Sequence, residues 1–282
     1  MLRQGRTSSL EAEIWYLPEA SEAEHGTPYL EGPFSEWGRT LTARYPFQPV
    51  ILGARPAWRV NVPEPSLWCP RSPNCYRLGE TTQVIGLRDL HVKNDSFYVE
   101  DRRWLIRAAQ ATEAEIADTL ADWREADLVP IVPQPSQALC LRALQLGVAL
   151  IADLARTPAP HRAACLARLS RFASVSLVLV SERTTRGEAH AAHSHAVLGT
   201  SVPLYGALSE WGKFALVSEH VLRSGWQPTR RLPVVAAREC FYTDDGPGEL
   251  RNHCDMFQAH LRHGADYAGL WLFRKGWHDR SR

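Results

Sequence analysis

Two glutamates occupy positions where carboxylate chemistry becomes feasible. Glu182 follows the apolar run from Val175 to Val180, and Glu239 follows the run from Val234 to Ala237, so each closes a segment that reads as a buried strand. Strands that run parallel in one sheet all end at one edge of it. Two carboxyls gathered there can be held in different protonation states, one as a proton donor and the other as a base or nucleophile. A glutamate just past an apolar strand is also the ordinary first solvated residue of a loop, so spacing alone does not assign a role. His190, His193 and His195 form a second cluster whose spacing could hold zinc or copper. No helical pair of histidines with a glutamate between them accompanies it, so surface histidines without a metal are the expectation.

Other chemistries lack their signatures. No glycine-rich phosphate loop precedes a helix and no Gly-x-Ser-x-Gly elbow occurs, so nucleotide binding and serine hydrolysis lack support. The six cysteines form neither a CxxC pair nor a zinc spacing and read as buried thiols. Asp244-Asp245-Gly246-Pro247-Gly248, soon after Glu239, reads as a turn that opens a helix.

The elements that must position these residues change character near Gly86. Before it the chain is rich in proline, glycine and short apolar patches, which predicts a small β domain over residues 1–86 with strands near Ala12 to Tyr16, Arg39 to Ala43, Val50 to Leu52, Trp58 to Val62 and Tyr76 to Leu78. After it, short apolar runs alternate with amphipathic helices, the pattern of βα units around a parallel sheet over residues 87–282. Strands are expected at Trp104 to Ala108, Leu128 to Val132, Val148 to Ala152, Val175 to Val180, Ala196 to Tyr205, Val234 to Ala237 and Ala268 to Phe273. Thr112 with Glu115 forms a capping box, Ser136 an N-cap and Gly147 a helix stop, Thr157 with Pro158 opens a further helix, and Leu208 to Leu222 reads as helical. One strand is missing or irregular in this count, between Arg183 and Gly206.

Composition narrows the ligand. Thirty-two basic residues face 31 acidic ones, so there is no field to hold nucleic acid or an anionic membrane, and a neutral ligand fits better. The ten tryptophans are mostly core material, although flat aromatic faces also suit sugars. With no secretory start and no apolar run of spanning length, the chain as given reads as cytoplasmic, and a leader upstream of it stays open. Oligomeric state is not legible.

A more specific signal lies at the junction. Pro65-Ser66-Leu67-Trp68-Cys69-Pro70 is followed by Ser72-Pro73-Asn74-Cys75-Tyr76, by Gly86-Leu87-Arg88 and by Ser96-Phe97-Tyr98-Val99-Glu100-Asp101. In order and spacing these resemble the segment that joins the immunoglobulin-like domain to the barrel in the family 2 glycoside hydrolases, the group of β-galactosidase, β-glucuronidase and β-mannosidase. Further on, Arg171 to Glu182 is similar to that family's acid/base segment, Leu232 to Glu239 to its nucleophile segment, and Gly269-Leu270-Trp271-Leu272-Phe273 to its last barrel strand.

The resemblance implies an immunoglobulin-like β-sandwich ahead of a TIM-type (β/α) barrel, complete or lacking a unit. It implies a retaining O-glycosyl hydrolase acting on a β-linked glycan or glycoside, with Glu182 as acid/base, Glu239 as nucleophile, Ser181, Tyr205 and Trp271 on the substrate side, and neither metal nor cofactor. The chain departs from the family at Ser181, where an asparagine is expected, and at Leu128 to Pro133, where an arginine motif is absent; the family's amino-terminal jelly-roll domain has no counterpart. Those departures define the rival expectation of a catalytically inactive, glycosidase-like protein that binds carbohydrate or serves as a scaffold.

Overall fold

In the computed structural model, residues 1–18, 27–53, 55–193, 195–202, 209–242, 245–261 and 266–276 are described. The first third of the chain builds β1 (Leu2–Thr7), β2 (Glu11–Tyr16), β3 (Tyr29–Phe34), β4 (Ala43–Pro46), β5 (Gln48–Leu52) and β6 (Arg55–Pro63). A short hairpin, β7 (Trp68–Cys69) with β8 (Ser72–Pro73), precedes β9 (Cys75–Leu78) and β10 (Val84–Gly86). Two four-stranded antiparallel sheets result, in the orders β1-β2-β6-β5 and β10-β9-β3-β4. Alternate residues of each sheet, among them Ile14, Val60, Val62, Leu30 and Tyr76, bury a common core, which is the signature of a β-sandwich. The strand expected at Arg39 to Ala43 begins instead at Ala43, and β1, β3 and β10 were not visible in the sequence pattern.

A three-stranded antiparallel sheet follows, β11 (Leu90–Lys93), β12 (Ser96–Val99) and β13 (Arg102–Trp104). Leu90 and Phe97 from this sheet join the core inside the barrel, with Phe97 edge-on to Phe214 at 5.7 Å, so the sheet closes the end where the barrel strands begin.

The barrel itself runs β14 (Ile106–Gln110), α1 (Glu113–Ile116), α2 (Leu120–Glu125), β15 (Val129–Pro133), α3 (Gln137–Leu146), β16 (Leu150–Leu154), α4 (Ala159–Leu169) and β17 (Val175–Val180). It continues with α5 (Arg186–Ala189), β18 (Val197–Ser201), β19 (Phe214–Ser218), α6 (Glu219–Arg223), β20 (Val234–Cys240), α7 (Pro247–His260) and β21 (Gly269–Arg274). Strands β14 to β21 pair in parallel in chain order, and β21 returns to β14, so the barrel is closed with eight strands. The expectation of an incomplete barrel is therefore corrected. The segment read as one helix from Leu208 to Leu222 holds strand β19 and then helix α6, because the apolar run Phe214 to Val217 is short enough to be either and Ser218 caps a new helix through its hydroxyl. Between β18 and β19 the described residues form no helix.

Local signals held where the chemistry was specific. The Thr112–Glu115 capping box is formed, and Ser136 caps α3. Gly147 ends α3 at φ 71°, where a Cβ would come within 2.8 Å of the Pro70 carbonyl, so both conformation and contact require glycine. Pro158, rather than Thr157, is the N-cap of α4. Sandwich and barrel meet at this corner, where Trp68 Nε1 donates to the Leu144 carbonyl at 2.8 Å.

Candidate functional site

Along each barrel strand, interior and exterior residues alternate, and the C-terminal rim is where a barrel presents its chemistry. On β20, Val235 and Ala237 belong to the interior core and Ala236 to the outer one. Arg238 is directed outward, gripping Glu219 through two hydrogen bonds of 2.7 and 2.8 Å and lying over the Phe257 ring. Alternation then turns Glu239 toward the mouth. It is exposed, sits opposite Phe273 in the β20–β21 register, and accepts a long 3.5 Å hydrogen bond from the Gly276 N–H.

Glu182 has a different outlook. Leu177 and Leu179 point inward on β17 while Val178 and Val180 point outward, so alternation continues inward at Ser181. The chain then turns, with the Thr184 N–H on the Ser181 carbonyl at 2.9 Å and the Arg183 N–H on the Ser181 hydroxyl at 3.2 Å. Glu182, exposed in this turn, lines a groove of about 810 Å³ on the barrel's flank together with Arg186, His190, His193, Trp211 and Lys213. Both glutamates end strands at the same rim, but β17 and β20 are not neighbours: β18 and β19 stand between them.

Trp271 is corrected as well. Rather than walling a ligand site, it is fully buried inside the barrel, edge-on to Phe214 at 5.6 Å and tilted against Phe273 at 6.4 Å, with its Nε1 lacking a partner among the described residues. An inward residue two positions below the rim is floor, not wall. Tyr205 lies outside the described residues, as does Asp244 of the acidic turn.

The mouth also holds residues that sequence reasoning passed over. Asp153, at the end of β16, is 7% exposed and by alternation with Ile151 points inward; its carboxylate accepts the Ala155 N–H at 3.0 Å. Gln110 ends β14 in the same way, its side-chain oxygen accepting the Arg274 N–H at 3.2 Å. Tyr242 braces that corner, its hydroxyl lying 3.0 Å from both the N–H and the carbonyl of Gln110, and burial raises its pKa. Glu115 pairs with Arg274 at 2.6 Å; burial opposes its ionisation, but hydrogen bonds from the Thr112 backbone and from Arg274 prevail and lower its pKa. The visible signal for Asp153 was a carboxylate two places after an inward-facing isoleucine.

The histidines are not all on the surface. His190 is exposed, but His193 is buried and stacks on His195 at 5.6 Å, and His195 Nε2 meets the Ser170 carbonyl at 3.0 Å. Burial pushes His193 down to about 4 and His195 to about 3, so both rings are neutral at pH 7. No cluster of three or more metal-ligating side chains is found among the described residues.

No family profile matches the chain, and no curated protein matches it in sequence. Solved structures do. A β-D-glucuronidase of Dictyoglomus thermophilum superposes with a TM-score of 0.59 at 13% identity, covering 97% of this chain and 61% of that one. A β-glucuronidase of Ruminococcus gnavus gives 0.61 at 10% identity, covering 96% and 60%, and a family 2 glycosyl hydrolase of Bacteroides cellulosilyticus gives 0.57 at 13%, covering 97% and 44%. The chain spans about three-fifths or less of the length of these enzymes. At such identities the likeness is one of fold: a β-sandwich followed by a closed eight-stranded parallel barrel, as in the family 2 glycosidases.

Proposed function

We propose that this chain is a glycosidase-like barrel that holds a carbohydrate at its C-terminal mouth without hydrolysing it, with Glu239 as the principal polar contact. The observation that carries the reading is the divergent outlook of the two glutamates, Glu239 turned to the mouth and Glu182 in the wall of the flank groove. Retaining hydrolysis requires two carboxyls about 5–5.5 Å apart around one glycosidic bond, and function is argued from such a site rather than from the fold. Gln110, Asp153, Ser181, Ser201 and Glu239 would give the mouth a neutral-to-acidic, hydrogen-bonding lining suited to hydroxyl groups.

The second reading is retaining hydrolysis of a β-linked glycan or glycoside, with Glu182 as acid/base, Glu239 as nucleophile and Ser181 and Tyr205 on the substrate side. Its support is positional: the two glutamates close the fourth and seventh strands of the barrel, the slots to which the sequence resemblance assigns the pair.

A panel of aryl β-glycosides, glucuronides included, separates the two. Binding by calorimetry without release of the aryl group is expected. Steady release that is abolished by Glu239→Gln, and slowed in its second step by Glu182→Gln, would establish hydrolysis instead.

A further inference from the structure

Arg88 is only 3% exposed, yet just one of its guanidinium nitrogens is engaged: Nη1 donates to the carbonyls of Ala173 at 2.8 Å and Val175 at 2.6 Å. Nε and Nη2 have no partner among the described residues. Those two nitrogens form a single edge of the planar group, the edge that holds two oxygens of a carboxylate or phosphate in parallel. Buried charges are ordinarily paired, because an uncompensated one is strongly destabilising. Arg162, the other buried arginine among the described residues, follows the rule and meets Glu188 at 2.8 Å.

The surroundings of Arg88 are themselves basic. Its anchoring carbonyls lie at the foot of β17; at the foot of neighbouring β18, Lys213 Nζ donates to the Ala196 carbonyl at 3.1 Å. His195, tied to Ser170 just ahead of β17 by an Nε2–H donated to its carbonyl, is neutral and adds no charge to this corner. Burial lowers the Arg88 pKa to about 10, and no carboxylate among the described residues offsets it. His193, Ala196 and Lys213 line the flank groove, so the groove opens beside this cluster.

We propose that Arg88 is the core of a binding site for a small oxyanion, a phosphate or carboxylate group seated on its Nε/Nη2 edge, with Lys213 on the side facing the groove. The site lies at the opposite end of the barrel from the mouth and is independent of any carbohydrate function.

Thermal melting of the whole chain in inorganic phosphate or acetate, against chloride at equal ionic strength, tests it together with calorimetry using phosphate alone. Phosphate is expected to raise the melting midpoint by about 5 °C or more at ~100 times its Kd. Arg88→Lys, which keeps the charge but loses the fork, should remove that rise. Where Arg88→Lys does not fold, Lys213→Met at the exposed side should weaken phosphate binding about tenfold, the effect of one charge-assisted contact. A response to acetate larger than that to phosphate assigns the site to a carboxylate group. Equal midpoints in all three salts would overturn the proposal, as would binding that neither variant changes, and the free edge of Arg88 would then be satisfied by water.

Discussion

Glu239 and Phe273 stand opposite each other in register on β20 and β21, the carboxylate exposed and the ring fully buried. The pair marks the boundary between the barrel's packed interior and its mouth. Because Glu239 is exposed, Glu239→Gln should leave urea stability within about 0.5 kcal/mol of wild type. The same change should weaken carbohydrate binding by roughly tenfold, as expected for removing the charge from a hydrogen bond to a hydroxyl, read by calorimetry.

Trp271 contributes packing. Trp271→Ala should cost ~3–5 kcal/mol in chemical denaturation through the cavity left against Phe214 and Phe273. Trp271→Phe should cost less than about 1.5 kcal/mol, since it also removes an indole N–H without a partner among the described residues. A large loss of ligand affinity in Trp271→Phe with stability unchanged would restore the tryptophan to the binding surface.

Arg162 and Glu188 join α4 to α5 at 2.8 Å with both side chains largely withdrawn from water, and Glu188 also completes the capping box of α5. Glu188→Ala strands the guanidinium and should cost ~3–5 kcal/mol. Replacing both members by apolar residues should recover part of that loss, which a double-mutant cycle in urea would measure.

Acid should destabilise the fold through His193 and His195. Both titrate near 6.5 when unfolded and are held down to about 4 and about 3 when folded, chiefly by burial, with Arg3 and Arg171 acting on His193 and Arg88 and Lys213 on His195. The unfolded chain therefore binds more protons between these limits, so their contribution is full above pH 6.5 and is lost as pH falls toward 4 and below. A loss on the order of a few kcal/mol is expected between pH 7 and pH 4, and His193→Gln should flatten the profile of denaturation midpoint against pH.

Legibility followed the range of the physics involved. Val175 to Val180 was read to the residue, because a fully buried strand is a continuous apolar run, and Ser136 and Gly147 were found because caps are local chemistry. Phe214 to Ser218 reads as part of a helix because four apolar residues directly ahead of a helical segment carry no period of their own. Tyr29 to Phe34 escaped because Gly32-Pro33 reads as a turn. The roles of Asp153 and Glu182 depend on which face of a strand each residue takes, and a single residue of drift at the strand end reverses that. The free edge of Arg88 is created entirely by partners distant in sequence.

The most direct test of the central claim is saturation-transfer proton NMR of β-linked glycosides mixed with the whole chain, which reports contact and turnover in one sample. The account predicts transfer to the sugar protons, its attenuation in Glu239→Gln, and no growth of anomeric signals from released sugar. Appearance of free sugar, first as the β-anomer, would contradict it in favour of a retaining hydrolase, and absence of transfer across the whole panel would remove carbohydrate from the account.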